Sequence, residues 1–97
     1  MAKSRLIEIV DLVVRGKGNS RRFIFIYKHH GVLFARNVGI FDYISSAEIV
    51  YILKISVRHF FRLIKLCKFN YIYKGKYLYA RLKDVLAYKQ SRFKDSL

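Results

Sequence analysis

The side chains that could do chemistry are few and scattered. The chain of 97 residues contains one cysteine, three histidines and six carboxylates. No histidine and acid accompany Cys67 in a recognisable set, so a small buried residue is a simpler interpretation than a nucleophile. His29 and His30 have no cysteine or carboxylate partner nearby, which argues against a metal site. We therefore expect no catalytic residue, no metal and no cofactor, and expect that the protein is not an enzyme.

The chemistry that the sequence does offer is positive charge. Lysine and arginine total 20 against six acidic residues, a formal net charge of +14. No acidic residue lies between Glu48 and Asp84, whereas a general solvated surface mixes both signs. Nine basic residues occupy that interval: Lys54, Arg58, Arg62, Lys65, Lys68, Lys74, Lys76, Arg81 and Lys83. A long stretch of one sign is typical of proteins that bind phosphate backbones.

Within this interval a basic face recurs at helical spacing. Arg58, His59 and Arg62 stand at i, i+1 and i+4, while Phe60 and Ile64 fall on the other side. The major groove of DNA admits one α-helix, and arginine commonly binds guanine through two hydrogen bonds. His59 is equally consistent with an ordinary surface histidine. The predicted DNA-binding residues are Ser45, Ser56, Val57, Arg58, His59, Arg62, Lys65, Lys74, Lys76 and Tyr77.

Two helices would position this face. Ser45 followed by Glu48 predicts a capping box before an apolar run. Lys54 and Ile55 predict a turn, and Ser56 predicts the N-cap of a second helix from about Val57 to Leu66. The amides at this second N-terminus, next to Ser56, would favour a phosphate.

A tyrosine-rich hairpin is predicted next. The runs 71–73 and 77–79 alternate aromatic and aliphatic residues around a turn that contains Gly75. The four tyrosines either pack the hairpin onto the rest of the protein, which we favour, or stack on unpaired bases as in single-strand binders. A last helix is predicted from about Lys83 to Phe93.

Residues 1–42 are predicted to form an N-terminal extension. Their first apolar residues follow helical spacing, with Ser4 as N-cap and Gly16 as the stop, although their β-branched composition leaves a strand open. A hairpin follows, with strands Phe23 to Lys28 and Val32 to Arg36 and a turn at His29 to Gly31. Both faces of this hairpin are apolar, so one would cover the rest of the protein and the other a second copy, in a two-fold dimer.

The order of motifs in residues 43–90 resembles the excisionase-type and MerR-like DNA-binding domain. The matching segments are 44–48, which follows that family's Leu-Thr-x-x-Glu pattern, then Leu53 and the run 55–65. Segments 68–69 and 73–76 resemble its wing, and Arg81 with 84–88 resembles its closing helix. The resemblance implies a winged helix-turn-helix with its second helix in the major groove and its wing on the minor groove.

Three departures from the family pattern concern local geometry. Lys54 stands where the family has glycine in the turn between helices, and Cys67 replaces the glycine before the wing. Ile49 and Val50 replace smaller residues. A lysine with positive φ would cost about 1 kcal/mol.

The sequence thus predicts an α+β fold: a winged helix-turn-helix domain at 43–97, preceded by an N-terminal helix or strand plus a β-hairpin at 1–42. We expect a protein that binds double-stranded DNA, as an excision or architectural factor or a small transcriptional regulator. The resemblance implies an integrase as a partner and binding at several adjacent DNA sites, so we expect a cooperative multimer on DNA or, through the N-terminal hairpin, a homodimer.

Two alternatives remain open: a basic adaptor that docks on an acidic protein, and a binder of RNA or single strands through the tyrosine-rich hairpin. No apolar run approaches the roughly 20 residues of a membrane span, so a cytoplasmic, nucleoid-associated protein without a membrane partner is expected.

Overall fold

The computed structural model describes residues 8–95 of the chain. The chain divides into two compact units, residues 1–40 and residues 41–97. The described residues form two antiparallel three-stranded sheets and three α-helices, which confirms the α+β class.

The first unit is a meander of three strands. Strand β1 (Glu8–Arg15) pairs with β2 (Arg22–His29), which pairs with β3 (Val32–Gly39), in the order β1-β2-β3. A short 3-10 turn at Gly18–Ser20 joins the first two strands. The predicted hairpin turn is confirmed: His30 and Gly31 have φ of 53° and 77°, as in the two-residue turns that match strand twist.

The N-terminal helix predicted from spacing is wrong, and the strand that was left open is right. Val10, Val13 and Val14 lie in β1, where β-branched side chains are favoured over helix. The strand also gives the hairpin a third member, which a marginal two-stranded ribbon needs. The proposed cap at Ser4 lies outside the described residues.

The two faces of this sheet differ in burial. Phe23 and Phe25 are buried on one face. Ile24 and Ile26, on the opposite face, are only half-buried. The apolar residues of β2 therefore follow the predicted alternation, with one face covered more completely than the other.

The second unit interleaves its helices with a small sheet. The first two helices are joined by three residues, and the last two strands form a hairpin. The strands pair in the order β4-β6-β5. Its elements are β4 (Tyr43–Ser45), α1 (Ser46–Leu53), α2 (Val57–Lys65), β5 (Ile72–Lys74), β6 (Tyr77–Arg81) and α3 (Leu82–Asp95).

The core of the second unit is formed where α1, α3 and the sheet contact one another. Ile49 and Leu53 of α1 are buried, as are Leu82 and Val85 of α3. At the C-terminal end of α1, the Arg92 guanidinium donates a 3.1 Å hydrogen bond to the Leu53 carbonyl. This bond links α3 to one of the carbonyls that a helix end leaves without an internal partner.

Candidate nucleic-acid interface

The predicted capping box at the start of α1 is present. The Glu48 backbone N–H donates to the Ser45 hydroxyl at 3.3 Å, and the Ser45 backbone N–H donates to the Glu48 carboxylate at 2.8 Å. The Glu48 side chain is fully buried. The Ser45 hydroxyl, one of the predicted DNA-binding groups, is therefore engaged in holding the helix start.

The turn after α1 places Lys54 in the left-handed region, with φ of 54°. The backbone N–H groups of Lys54 and Ile55 both donate to the Val50 carbonyl, at 2.9 and 3.4 Å. A residue with positive φ is the common way to end a helix, and glycine is the usual choice. The chain uses an exposed lysine instead, so a cation stands between the two helices.

Helix α2 begins at the predicted N-cap. The Ser56 hydroxyl accepts a hydrogen bond from the His59 backbone N–H at 3.0 Å. As with Ser45, the hydroxyl of this predicted DNA-binding residue is used by the cap. The other backbone N–H groups of the first turn have no hydrogen-bond partner inside the helix.

The end of α2 has the same left-handed geometry as the end of α1. Cys67 has φ of 51°, its N–H donates to the Ile64 carbonyl at 3.0 Å, and the Lys68 N–H donates to the Leu63 carbonyl at 3.2 Å. This pair of bonds is the Schellman motif. Cys67 is exposed, so its interpretation as a small buried residue is wrong.

One side of α2 is buried and the other is open. Phe60, Leu63 and Ile64 are buried, which confirms that Phe60 and Ile64 face inward. The predicted residues Val57, Arg58, Arg62 and Lys65 are exposed, whereas His59 is half-buried.

Four of the exposed side chains form a single surface. Arg58, Phe61, Arg62 and Lys65 line a shallow depression, and the Phe61 ring is 52% exposed. We call these four residues the α2 stripe. Phe61 was not among the predicted binding residues, although the spacing i, i+3, i+4, i+7 from Arg58 would have placed it between the three cations.

The predicted residues of the hairpin form a second surface. Lys74 pairs with Tyr77 across β5 and β6, and Lys76 lies in the turn between them. The Lys76 ammonium lies 5.9 Å from the centroid of the Tyr77 ring. These three exposed residues form one group, the hairpin tip.

Two of the four hairpin tyrosines do not pack as expected. Tyr71 and Tyr79 are half-buried, but Tyr73 and Tyr77 are 58% and 62% exposed. The prediction that they all pack the hairpin onto the protein is therefore wrong for Tyr73 and Tyr77. Alternation showed that the segments are strands, but it could not show how much of each ring the rest of the unit covers.

A further aromatic and cation pair lies on the same sheet. Tyr43 of β4 is paired in register with Arg81 of β6, and the Arg81 guanidinium lies 4.9 Å from the centroid of the Tyr43 ring. Sequence reasoning missed this pair because the two residues are far apart along the chain and only the pairing of β4 with β6 joins them.

The exposed charged residues between Glu48 and Asp84 all carry positive charge. All nine basic residues in the interval between Glu48 and Asp84 are exposed. Glu48, the carboxylate that precedes them, is buried. The surface contributed from α1 to the start of α3 therefore carries cations without exposed acidic residues among them, and it would attract a polyanion.

Between residues 8 and 95, no group of three or more histidine, cysteine, aspartate or glutamate side chains could hold a metal ion. Within the same range, each helix is too short or too polar to cross a lipid bilayer.

Comparison with known proteins adds no relative. No protein-family model matches the sequence, and no curated protein or solved structure is significantly similar to it.

Proposed function

We propose that the protein binds double-stranded DNA through the α2 stripe. The observation that carries the proposal is the division of α2 into a buried apolar side and an exposed side with three cations around Phe61. A helix anchored in this way can enter the major groove without disturbing the core behind it. Arg58 and Arg62 are then the base-reading side chains, and Lys65 contacts phosphate.

The hairpin tip supplies the second contact in this proposal. Lys74 and Lys76 contact the phosphate backbone or the minor groove of the DNA. Tyr77 packs against the neighbouring deoxyribose rings. The amides at the N-terminus of α2, beside Ser56 and Val57, bind a phosphate. His59 contributes at the edge because it is half-buried.

A winged helix-turn-helix of the excisionase-like type is the architecture that we propose for this unit. Its support is local: Lys54 and Cys67 stand where that family has glycine, and both have positive φ. Glycine is favoured at such positions because it lacks a Cβ. The two departures from the family pattern therefore keep the backbone conformation that glycine normally serves.

Within this proposal, the protein acts as an excision or architectural factor beside an integrase, or as a small transcriptional regulator in the nucleoid. Permuted-fragment gel shifts distinguish the two roles. Strong bending at several adjacent sites supports the first role, and a single site beside a promoter supports the second.

The decisive experiment starts by selecting bound fragments from random duplex DNA. We expect Arg58→Ala and Arg62→Ala each to cost about 1–3 kcal/mol on the selected site and to relax specificity there. The matched control is Arg15→Ala, which removes an exposed arginine from the first unit. Equal losses for all three variants would show a nonspecific charge effect and would contradict the assignment of α2.

The hairpin tip is tested by salt dependence. Lys74→Ala and Lys76→Ala should weaken binding to all sequences alike, and each should lower the slope of log K against log salt by about 0.9. An unchanged slope would remove the hairpin tip from the interface. If heparin displaces every duplex equally well, the adaptor that binds an acidic protein becomes the better hypothesis.

The exposure of Tyr73 and Tyr77 favours a second candidate function, the binding of single-stranded nucleic acid. Stacking of a base on an aromatic ring contributes about 1–3 kcal/mol. If this is the function, Tyr77→Ala should weaken binding to single strands by that amount and Tyr77→Phe should not, while duplex affinity stays below single-strand affinity. Tighter binding of duplex than of single strands would reject this candidate.

A further inference from the structure

The two edges of the first sheet are built differently. Sheet order makes β1 and β3 the outer strands. Strand β1 has an irregularity between Ile9 and Asp11 and carries Glu8, Asp11 and Arg15. Bulges and charges are the usual means by which proteins prevent an edge strand from pairing with another chain.

Strand β3 lacks these features. It pairs with β2 over eight successive residues without a register shift, and its only charged residue is Arg36. Within the described residues, no other strand pairs with its outer edge. A long, regular and apolar edge is a typical site for the addition of another strand.

The exposed side chains of β3 lie on both faces of the sheet. Val32, Leu33 and Phe34 are 54%, 61% and 53% exposed in the whole chain. Register places Leu33 on one face, opposite Lys28, and its two neighbours on the other. A partner packed on one face would leave the other exposed, whereas a strand added at the edge covers both.

We propose that β3 pairs antiparallel with β3 of a second copy of the chain, in a two-fold dimer centred on Leu33. In this register Leu33 lies opposite Leu33, and Val32 lies opposite Phe34 on each side of the centre. Apolar residues therefore meet apolar residues at the three central pairs, and such cross-strand pairs stabilise a sheet.

The same register keeps the one charged residue of β3 away from its counterpart in the other copy. In this register Val32 to Phe34 of the two strands pair, and Arg36 of each copy lies beyond these pairs, level with the turn residue His30 of the other copy. The two arginines are about 20 Å apart along the strand, at about 3.3 Å per residue. This exceeds the Debye length of about 8 Å at physiological salt. The segment from Val32 to Phe34 is thus self-complementary in its apolar side chains, and the charge of Arg36 lies outside the pairs.

The contact is small, so the dimer should be weak and reversible in solution. When two copies bind adjacent DNA sites, each has a high effective concentration near the other, and this favours the dimer. The dimer itself does not depend on the proposed function, because it can be measured without nucleic acid.

The first test is sedimentation equilibrium from low to high micromolar concentration. The wild-type average mass should rise toward that of a dimer. Leu33→Lys should weaken association at least about tenfold, because it places two charges at the centre of the pairing. Val14→Lys is the matched control, since it adds the same charge at a 48% exposed residue on the other edge strand. A wild-type chain that stays monomeric, or equal effects of the two variants, would overturn the proposal.

The second test fixes the register by disulfide formation. Residues directly opposite in antiparallel strands have Cα atoms about 4.5–5.5 Å apart, within the range that a disulfide spans. In a Cys67→Gly background, Leu33→Cys should oxidise to a covalent dimer, and Val32→Cys mixed with Phe34→Cys should form heterodimers. Val14→Cys should remain monomeric. Faster self-linking of Phe34→Cys than of Leu33→Cys would overturn the Leu33-centred register.

Discussion

Helices α1 and α2 begin in the same way and are used in opposite ways. Each starts after a serine whose hydroxyl accepts a hydrogen bond from the backbone N–H three residues on. Helix α1 then buries Glu48, Ile49, Ile52 and Leu53, whereas α2 exposes the four residues of its stripe. A helix start signal therefore says nothing about what the helix does, but the distribution of its charges does.

Different side chains of the two helices serve stability and binding. Half of the side chains of α1 are buried in the core, so substitutions of these residues should change the free energy of unfolding. In α2 the exposed stripe contributes little to the core, so substitutions there should change affinity for DNA.

The largest effect on stability should come from the buried residues of α1. Ile49→Ala should lower the free energy of unfolding by about 2–5 kcal/mol, because it leaves a cavity at a fully buried site. Phe61→Ala removes a larger side chain but should lower the free energy of unfolding by no more than about 1.5 kcal/mol, because the ring is about half exposed. Urea denaturation measures both. A loss for Phe61→Ala as large as that for Ile49→Ala would erase the distinction.

The caps should give the intermediate effect. Ser45→Ala and Ser56→Ala should each cost about 0.5–2 kcal/mol in unfolding free energy, and Ser→Thr at either position should retain most of the cap. Once corrected for the folded fraction, Ser45→Ala should leave DNA affinity unchanged because its hydroxyl is engaged with Glu48. A loss of affinity with unchanged stability would restore Ser45 to the binding surface.

The smallest effect should come from the turn that joins the two helices. Lys54→Gly should stabilise the protein by about 0.5–1 kcal/mol, because relief of left-handed strain is partly offset by a freer unfolded chain. Lys54→Ala is the control, since it removes the same charge and keeps the strain. Thermal unfolding should rank glycine above lysine and alanine. Equal stability of the glycine and alanine variants would show that the turn is not strained.

Local signals predicted the second unit well. Ser45, Glu48 and Ser56 marked the helix starts, and the turn at Gly75 marked the hairpin, because caps and turns depend on a few neighbouring residues. The inward side of α2 followed from helical spacing alone. Each of these features is set by residues close together in the sequence.

The features that sequence reasoning predicted wrongly or missed depend on residues that are distant along the chain. The spacing of Val10, Val13 and Val14 suits a helix, but the segment forms a strand because it pairs with β2. Exposure of Tyr73 and Tyr77 depends on what the rest of the unit covers, which alternation cannot reveal. The contact between Arg81 and Tyr43 likewise exists only because β6 lies beside β4.

The strand order β4-β6-β5 has a consequence for folding kinetics. Sheet β1-β2-β3 pairs only strands that are neighbours in sequence. Closing its short loops costs little entropy, so this sheet should form early. The pairing of Tyr43 with Arg81 instead closes a long loop that contains both α1 and α2. The two helices therefore reach their final places only when that loop closes, and formation of the β4–β6 pair should limit the rate at which the second unit folds.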